Sequence, residues 1–334
     1  MDVDLSFIWA GIIAFAVLAY VVLDGFDLGI GIVFPFFRKR RDRDVMTNSI
    51  APVWDGNETW LVLGGGGLMA VFPLAYAIIL PALYMPIILM LVSLIFRGVA
   101  FEFRWRTHHE SHLWDFGFWI GSSVAALMQG IALGALVQGI AVEGRQYAGG
   151  WWDWLTPFSI LTGVAVLVGY ALLGVTWLNL KTTGDIQARS AKLARPLSLA
   201  ILALIGIVSL WTPFINEMYF ERWFGWPAAF FSSFVPLLLA LCALALWHGL
   251  THDKHLQPFL AALGLFVLSF AGLGISFYPY MIPGVLTIKD AAAPESSLEF
   301  LLVGAVVLVP IILVYTAYAY WVFRGKIDPE EGYH

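Results

Sequence analysis

Nine apolar stretches, each long enough to cross a bilayer, decide what this sequence can fold into. They run over residues 5–37, 51–74, 77–103, 115–142, 155–180, 196–215, 226–248, 256–280 and 298–323. Crossing about 30 Å of hydrocarbon as a helix takes about 20 apolar residues. The pattern therefore predicts an all-α polytopic membrane protein with nine transmembrane helices. Composition agrees: 60% of the residues are hydrophobic and 12% charged, against about 45–50% and about 25% in soluble domains. The first stretch is the longest. Its 33 residues would reach about 50 Å at 1.5 Å per residue, so it tilts or projects from the bilayer. Pro73 and Pro81 interrupt the pattern between the second and third stretches.

Cationic residues alternate between the connections in a way that orients the chain. Arg38, Lys39, Arg40, Arg41 and Arg43 follow the first stretch; Arg104 and Arg106 follow the third; Lys181, Arg189, Lys192 and Arg195 follow the fifth. Lys254 follows the seventh, and Arg324 and Lys326 follow the last. The opposite connections hold only Arg145, Arg222 and Lys289. Lys and Arg concentrate on the cytoplasmic side of a membrane protein, which places the N-terminus outside, in the periplasm, and the C-terminus in the cytoplasm. The connections are short, the longest being about 181–195 and 281–297, and no linker or low-complexity tract interrupts the chain. Residues 1–334 read as a single transmembrane domain, with four-helix-bundle-like packing expected. The N-terminus "MDVDLSF" is acidic and lacks the basic start of a cleavable signal.

The chemistry lies in charges that interrupt the apolar pattern. A charged side chain at the centre of a membrane helix costs about 2.5–3.5 kcal/mol, so "VLDGFDLGIG" at 22–31, with Asp24 and Asp27 in one stretch, needs a compensating partner or a task. The two aspartates are three residues apart and share a helix face. "APVWDGNETWLV" opens the second stretch with Asp55 and Glu58 at the same spacing, beside Trp54, Asn57 and Trp60. "LIFRGVAFEFRWR" closes the third with Arg97 inside the Arg104/Arg106 boundary and Glu102 between. All six ionisable groups fall in the cytoplasmic half of three consecutive helices. One reading is structural: Arg97 neutralises a carboxylate and holds the bundle in register, although the net stabilisation from such buried pairs is small. The other is functional. Five carboxyl groups face one intramembrane cation, so at least some carry a proton, and exchangeable protons lined up from the cytoplasm inward form a relay. The two readings can coexist.

Other features narrow the function. The seven histidines are His108, His109, His112, His248, His252, His255 and His334, and all fall in connections or at helix ends. Intramembrane b-type haems are held by His or Met, so this chain is expected to ligate no haem itself. Met69, Met85, Met90 and Met128 read as core residues. His248, His252 and His255 have a spacing that could suit a metal, but interfacial polar residues are the commoner meaning. Gly64 to Gly67 lack the lysine of a phosphate loop; with Gly25-x-x-x-Gly29 and Gly130-x-x-x-Gly134 they read as close-packing signals. "WWDW" at 151–154 fits an interfacial aromatic belt. The single cysteine, Cys242, excludes an intrachain disulfide. No segment is basic enough to bind nucleic acid.

At "LDGFDLGIG", "NSIAPVWDGNETWLV", "FRGVAFEFR" and "VVLVPIILVYTAYAYWVF" the chain resembles subunit II of the cytochrome bd family of quinol oxidases, which includes a cyanide-insensitive branch. The resemblance spans the whole chain. It implies a membrane-embedded partner, subunit I, carrying two b-type haems, haem d and the quinol site, often with a small single-helix subunit, all surrounded by membrane lipid in the bacterial cytoplasmic (inner) membrane. It implies a terminal oxidase of the respiratory chain that oxidises quinol at the outer side and reduces O₂ to water. Protons are taken from the cytoplasm, so turnover is electrogenic without pumping. Subunit II would supply a proton route to the haem site, and the matching positions here are Asp27, Trp54, Asp55, Arg97 and Glu102. Glu58 stands where some members have Gln. Some relatives hold a structural quinone in subunit II; no motif here assigns one. The connection at about 216–225 is short, whereas subunit I is expected to carry a long quinol loop.

Three functions remain open at this point: a subunit of the oxidase that passes protons, a purely structural assembly subunit, and a stand-alone proton-coupled transporter. An odd helix count without evident inverted repeats speaks against the last.

Overall fold

The computed structural model of the protein describes residues 4–106 and 111–327. His108, His109 and His334 lie outside the described residues. The first helix, α1 (Leu5–Val33), starts at Asp4, whose carboxylate accepts the Ser6 N–H at 3.1 Å and pairs with Lys289 Nζ at 2.7 Å. It ends in a 3₁₀ turn over Phe34–Phe36. A short polar helix, α2 (Arg40–Asn48), leads to α3 (Trp54–Val71), α4 (Pro73–Ala82) and α5 (Tyr84–Arg106).

The expected second and third crossings, 51–74 and 77–103, are therefore three helices. Pro73 has no N–H and crowds the residue before it out of the helical region. Phe72 accordingly sits at φ −124° and ψ 61°, and a second break falls at Leu83. Residues 77–82 belong to α4, and the long apolar helix begins only at Tyr84.

The remaining helices are α6 (Ser111–Gln138), α7 (Pro157–Lys181), α8 (Gly184–Trp211), α9 (Glu217–Phe224), α10 (Ala228–Ser232), α11 (Phe234–Thr251), α12 (Leu256–Phe277), α13 (Ile288–Ala291) and α14 (Glu295–Val322). The expected loop at 181–195 is mostly helical, because α8 begins at Gly184 and carries Arg189, Lys192 and Arg195 on its first turns. The all-α expectation also needs a small amendment. Two hairpins of two short strands each cross the connections: β1 (Val142–Glu143) with β2 (Gln146–Tyr147), and β3 (Tyr280–Ile282) with β4 (Leu286–Thr287).

Among the described residues, eight helical stretches are long and apolar enough to cross a membrane: Leu5–Phe36, Tyr84–Arg106, His112–Gln138, Pro157–Lys181, Gly184–Phe214, Ala228–Thr251, Leu256–Phe277 and Glu295–Val322. The remaining expected crossing, 51–74, corresponds to α3. Its 18 residues carry Asp55, Asn57 and Glu58 in the first two turns, which removes it from that group.

α1 runs through the centre, packed on α7, α3 and α6, with α12, α13 and α14 at its edges. Sequential neighbours α5, α6, α7 and α8 pack side by side; α12 lies against α7 and α11, and α11 against α8. The small-residue motifs make the closest contacts. A Cβ on Gly29 would stand 1.9 Å from the Tyr170 carbonyl oxygen, and one on Gly174 would stand 2.3 Å from the Gly29 carbonyl carbon. Gly130 and Gly134 let α6 meet α7 in the same way at Thr162 and Ser159. Of the Gly64–Gly67 run, Gly64 and Gly67 face Val17 and Ile13 of α1, while Gly65 and Gly66 are open. The far side of the molecule differs. α14 is open along its most apolar stretch, with Phe300 80% exposed and Val303 72% exposed.

Candidate functional site

The sequence D-G-F-D-L-G of α1 sorts its side chains onto two faces. Gly25 and Gly29, four apart, abut Tyr170 and Gly174 of α7. Asp24 and Asp27, three apart, are both fully buried and turn toward α5 and α3. Between them Phe26 stacks on Trp177 with ring centroids 4.2 Å apart.

Asp24 meets Arg97 of α5. The guanidinium is 1% exposed, and its Nη1 lies 2.7 Å from Asp24 Oδ1 and 3.8 Å from Glu58 Oε2. The contact with Asp24 is an ion pair whose approach does not align as a hydrogen bond. Arg97 Nε, Nη1 and Nη2 and both Asp24 oxygens have no hydrogen-bond partner within the described residues. Gly121 of α6 makes room here: a Cβ at that position would stand 2.9 Å from the Arg97 backbone nitrogen. Trp54 completes the wall. The Arg97 guanidinium lies 5.8 Å from its ring centroid, a cation–π distance, and the Trp54 and Phe101 rings are 5.0 Å apart.

Asp27 meets α3 instead. Asn57, 1% exposed, donates from Nδ2 to Asp27 Oδ2 at 2.7 Å, and its Oδ1 accepts the Tyr320 hydroxyl of α14 at 2.9 Å. Asp27 Oδ1 is left without a hydrogen-bond partner. A second polar chain approaches from the other direction, one helical turn before Asp24. Tyr170 donates its hydroxyl proton to Gln129 Oε1 at 2.8 Å, and Gln129 Nε2 donates to the Tyr20 hydroxyl oxygen at 2.7 Å.

Of the seven residues singled out in the sequence, the structure brings five together: Asp24, Asp27, Trp54, Glu58 and Arg97. Glu58 is the open edge of this group, its side chain 28% exposed. Asp55 is exposed on α3 one turn before it, and Glu102 is half-buried on α5; neither forms a hydrogen bond or ion pair within the described residues. Asn57, noted in the sequence only as a neighbour, is the link between Asp27 and α14. Tyr20, Gln129, Tyr170 and Tyr320 were missed. Tyr20, Asp24 and Asp27 fall at i, i+4 and i+7, a one-face spacing that could have drawn in Tyr20. Nothing local marks Tyr320, which is 263 residues from Asn57.

A second charged network lies nearby. Arg104 Nε reaches Asp115 Oδ1 at 2.6 Å and its Nη1 reaches Asp44 Oδ1 at 2.7 Å, while Arg43 Nη1 reaches Asp115 Oδ2 at 2.6 Å. Both guanidiniums also sit over the Phe34 ring, at 5.3 Å for Arg43 and 5.6 Å for Arg104. The sequence showed these arginines only as boundary markers.

The described histidines do not fit an axial haem ligand inside the membrane. His112, His248, His252 and His255 are exposed at helix ends; His248 and His252 stack on each other with centroids 4.0 Å apart, and His255 Nδ1 meets Gln187 Nε2 at 3.2 Å. Met90 and Met128 are packed in the core, and Met69 is exposed. No group of three metal-ligating side chains forms among the described residues.

Comparison with known proteins places this geometry. The family model of cytochrome bd terminal oxidase subunit II matches residues 5–323. Cytochrome bd-I ubiquinol oxidase subunit 2 of Escherichia coli (strain K12) is 31% identical, over 98% of this chain and 96% of that protein. Cytochrome bd ubiquinol oxidase subunit 2 of Bacillus subtilis (strain 168) is 27% identical, over 97% of each. Among solved structures, a chain of the bd oxidase from Geobacillus thermodenitrificans has the same fold, with a TM-score of 0.75 and 17% identity over 96% of this chain and 98% of that one.

Proposed function

Because the chain belongs to the family of cytochrome bd terminal oxidase subunit II, we propose that it works beside a haem-bearing subunit I and passes it protons through the α1–α3–α5 cluster. It is a multi-pass protein of the bacterial inner membrane and a subunit of an oxidoreductase complex that contains haems. In the proposed arrangement the haems and the quinol site belong to subunit I, and this chain acts as one transmembrane domain. It crosses nine times, α3 included, with the N-terminus outside. The cycle of contacts α7–α8–α11–α12 supports four-helix-bundle-like packing.

The observation that carries the reading is the graded burial of the carboxyls. Asp55 is exposed, Glu58 is 28% exposed, and Asp24 and Asp27 are sealed. Asp55 and Glu58 would take protons at the surface. Arg97, fixed between Glu58 and Asp24, supplies a stationary cation that lets one carboxylate at a time be charged. Asp27 holds Asn57 with Oδ2, so Oδ1 is the atom on which it can accept and release a proton. Exposed carboxyls on a membrane helix cannot face lipid tails. The surface of α3, with the open face of α14 beside it, is therefore the side proposed to meet subunit I. The haem chemistry, O₂ reduction by quinol electrons, needs protons delivered there. Family membership leaves no support for the stand-alone transporter.

The test is Asp27→Asn in the purified oxidase. With haem content and subunit ratio unchanged, O₂ consumption with quinol should fall by about a hundredfold, the low end of what a positioned proton-transfer group contributes. Asp55→Asn should lower turnover more than assembly. Normal turnover in both well-assembled variants would leave the cluster with a structural role only.

A further inference from the structure

One groove of the described molecule is lined by none of the residues of the carboxyl cluster. It measures about 750 Å³ and lies at the basic end of the chain, between Leu180 of α7, Ala245 of α11, the start of α12 with Leu256, Leu260 and Ala261, and Lys326 beyond α14. Its wall is almost entirely apolar, and its polar rim carries the two ammonium groups of Lys254 and Lys326 beside His255 and Gln257. Among the described residues no carboxylate lines it.

Lys326 and Gln257 of the rim are held in place by backbone carbonyls. Lys326 Nζ donates to the Thr182 carbonyl at 2.8 Å, and the Ile327 N–H donates to the Lys181 carbonyl at 2.9 Å, which ties the end of the described chain to α7. Lys181 in turn donates to the Phe323 and Gly325 carbonyls. Gln257 Nε2 is committed to the Ala245 carbonyl at 2.9 Å. Neither Lys254 nor Lys326 forms an ion pair within the described residues.

Two ammonium groups with no ion-pair partner among the described residues, above an apolar trough, fit an amphiphile with an anionic head. We propose that this groove binds an anionic glycerophospholipid, its phosphate between Lys254 and Lys326 and an acyl chain along Leu256, Leu260 and Ala261. Basic pockets between helices at the basic face of a membrane protein take acidic lipid headgroups, at about 1 kcal/mol per cation. The volume suits a headgroup and the first part of a chain. The site shares no residue with the proposed proton route.

The experiment is native mass spectrometry of the intact oxidase, titrated with phosphatidylglycerol and, separately, with phosphatidylcholine. The unmodified complex should retain one more phosphatidylglycerol than the Lys254→Gln/Lys326→Gln double variant, whose affinity should be about thirtyfold weaker. Phosphatidylcholine retention should be equal in both. Leu260→Trp, which fills the trough and leaves the cations, should also lose the lipid. Subunit ratio and haem spectrum show in each case that the complex has assembled. Equal phosphatidylglycerol retention in all three proteins would overturn the proposal, as would inorganic phosphate displacing the lipid at equal concentration. Two other occupants are tested directly. Deleting residues 328–334, which include Asp328, Glu330 and Glu331, should leave retention unchanged; a several-fold rise would mean that this acidic tail fills the groove. Loss of another subunit from Leu260→Trp would make the groove a subunit contact.

Discussion

Two charged networks sit within a few turns of each other and obey opposite rules. In the one built by Arg43, Asp44, Arg104 and Asp115, two cations meet two carboxylates at 2.6–2.7 Å, and the acids keep some contact with the surroundings, at 35% and 12% side-chain exposure. In the one built by Asp24, Asp27, Glu58 and Arg97, three acids share one cation, two of them with no exposure at all. Balance makes the first network a clasp that joins α2, α5 and α6. Imbalance is what suits the second to the proposed proton route, since three acids around one cation cannot all be balanced by contacts. A chain that needed only a clasp could have repeated the first arrangement.

The sharpest way to break this contrast is to remove its sealed cation. Arg97→Gln strands the fully buried Asp24 without its cation, and losing one member of a buried pair costs about 3–5 kcal/mol. Complex recovered from membranes should drop severely and return in large part when Asp24→Asn is added. Recovery of the single variant at the unmodified level would show that the pair is not a buried charge pair. The matching change in the balanced network is smaller. Arg104→Gln removes charge-assisted contacts worth about 1.5–3 kcal/mol, but leaves Asp44 and Asp115 able to reach water or Arg43. Its thermal unfolding temperature should fall, and turnover per assembled complex should stay unchanged. Tyr320→Phe is milder still. It deletes one hydrogen bond, to Asn57, for about 0.5–1.5 kcal/mol, and should lower turnover only if the α14 contact holds Asp27 in place; parallel O₂ consumption and melting curves separate the two effects.

The smallest effect belongs to an exposed pair that resembles neither network. Lys289 beside Asp4 holds that carboxyl below its ordinary value, and Asp4 in turn holds the Lys289 ammonium above its own. Asp4 is depressed, so its contribution is present above about pH 3.9 and is lost as pH falls through the lowered value; Lys289 is raised, so its contribution is present below about pH 10.4 and is lost as pH rises through the raised value. Protection of the first α1 amides in hydrogen exchange should therefore be flat across neutral pH and fall at both extremes. Asp4→Asn should remove the acid limb.

The parts legible in the sequence were those encoded locally. Apolar runs of 20 or more residues marked the eight described stretches long and apolar enough to cross a membrane, and the glycine spacings at 25/29 and 130/134 marked helix contacts that the structure makes through the backbone. Three acidic or basic motifs, on α1, α3 and α5, were enough to gather Asp24, Asp27, Trp54, Glu58 and Arg97. What could not be read depends on how distant helices are placed. Tyr320 reaches Asn57 only because α14 returns beside α3, and the pairing of Arg43 and Arg104 across Asp115 requires α2 to fold back under α5 and α6. The split at Phe72 was signalled by Pro73, but apolarity alone does not distinguish one long crossing from two helices joined at an angle.

The backbone contact between Gly29 and Gly174 has a mechanical consequence. Where side chains separate two helices, their spacing can yield as rotamers change; where carbonyl meets glycine, it cannot. The depth of Asp24 and Asp27 is thereby registered against α7 rather than against the bilayer. A thicker or thinner membrane can tilt the whole molecule, but it cannot slide the carboxyls along their neighbour. Turnover should therefore be nearly indifferent to acyl-chain length, over a range in which a loosely packed bundle would drift out of register.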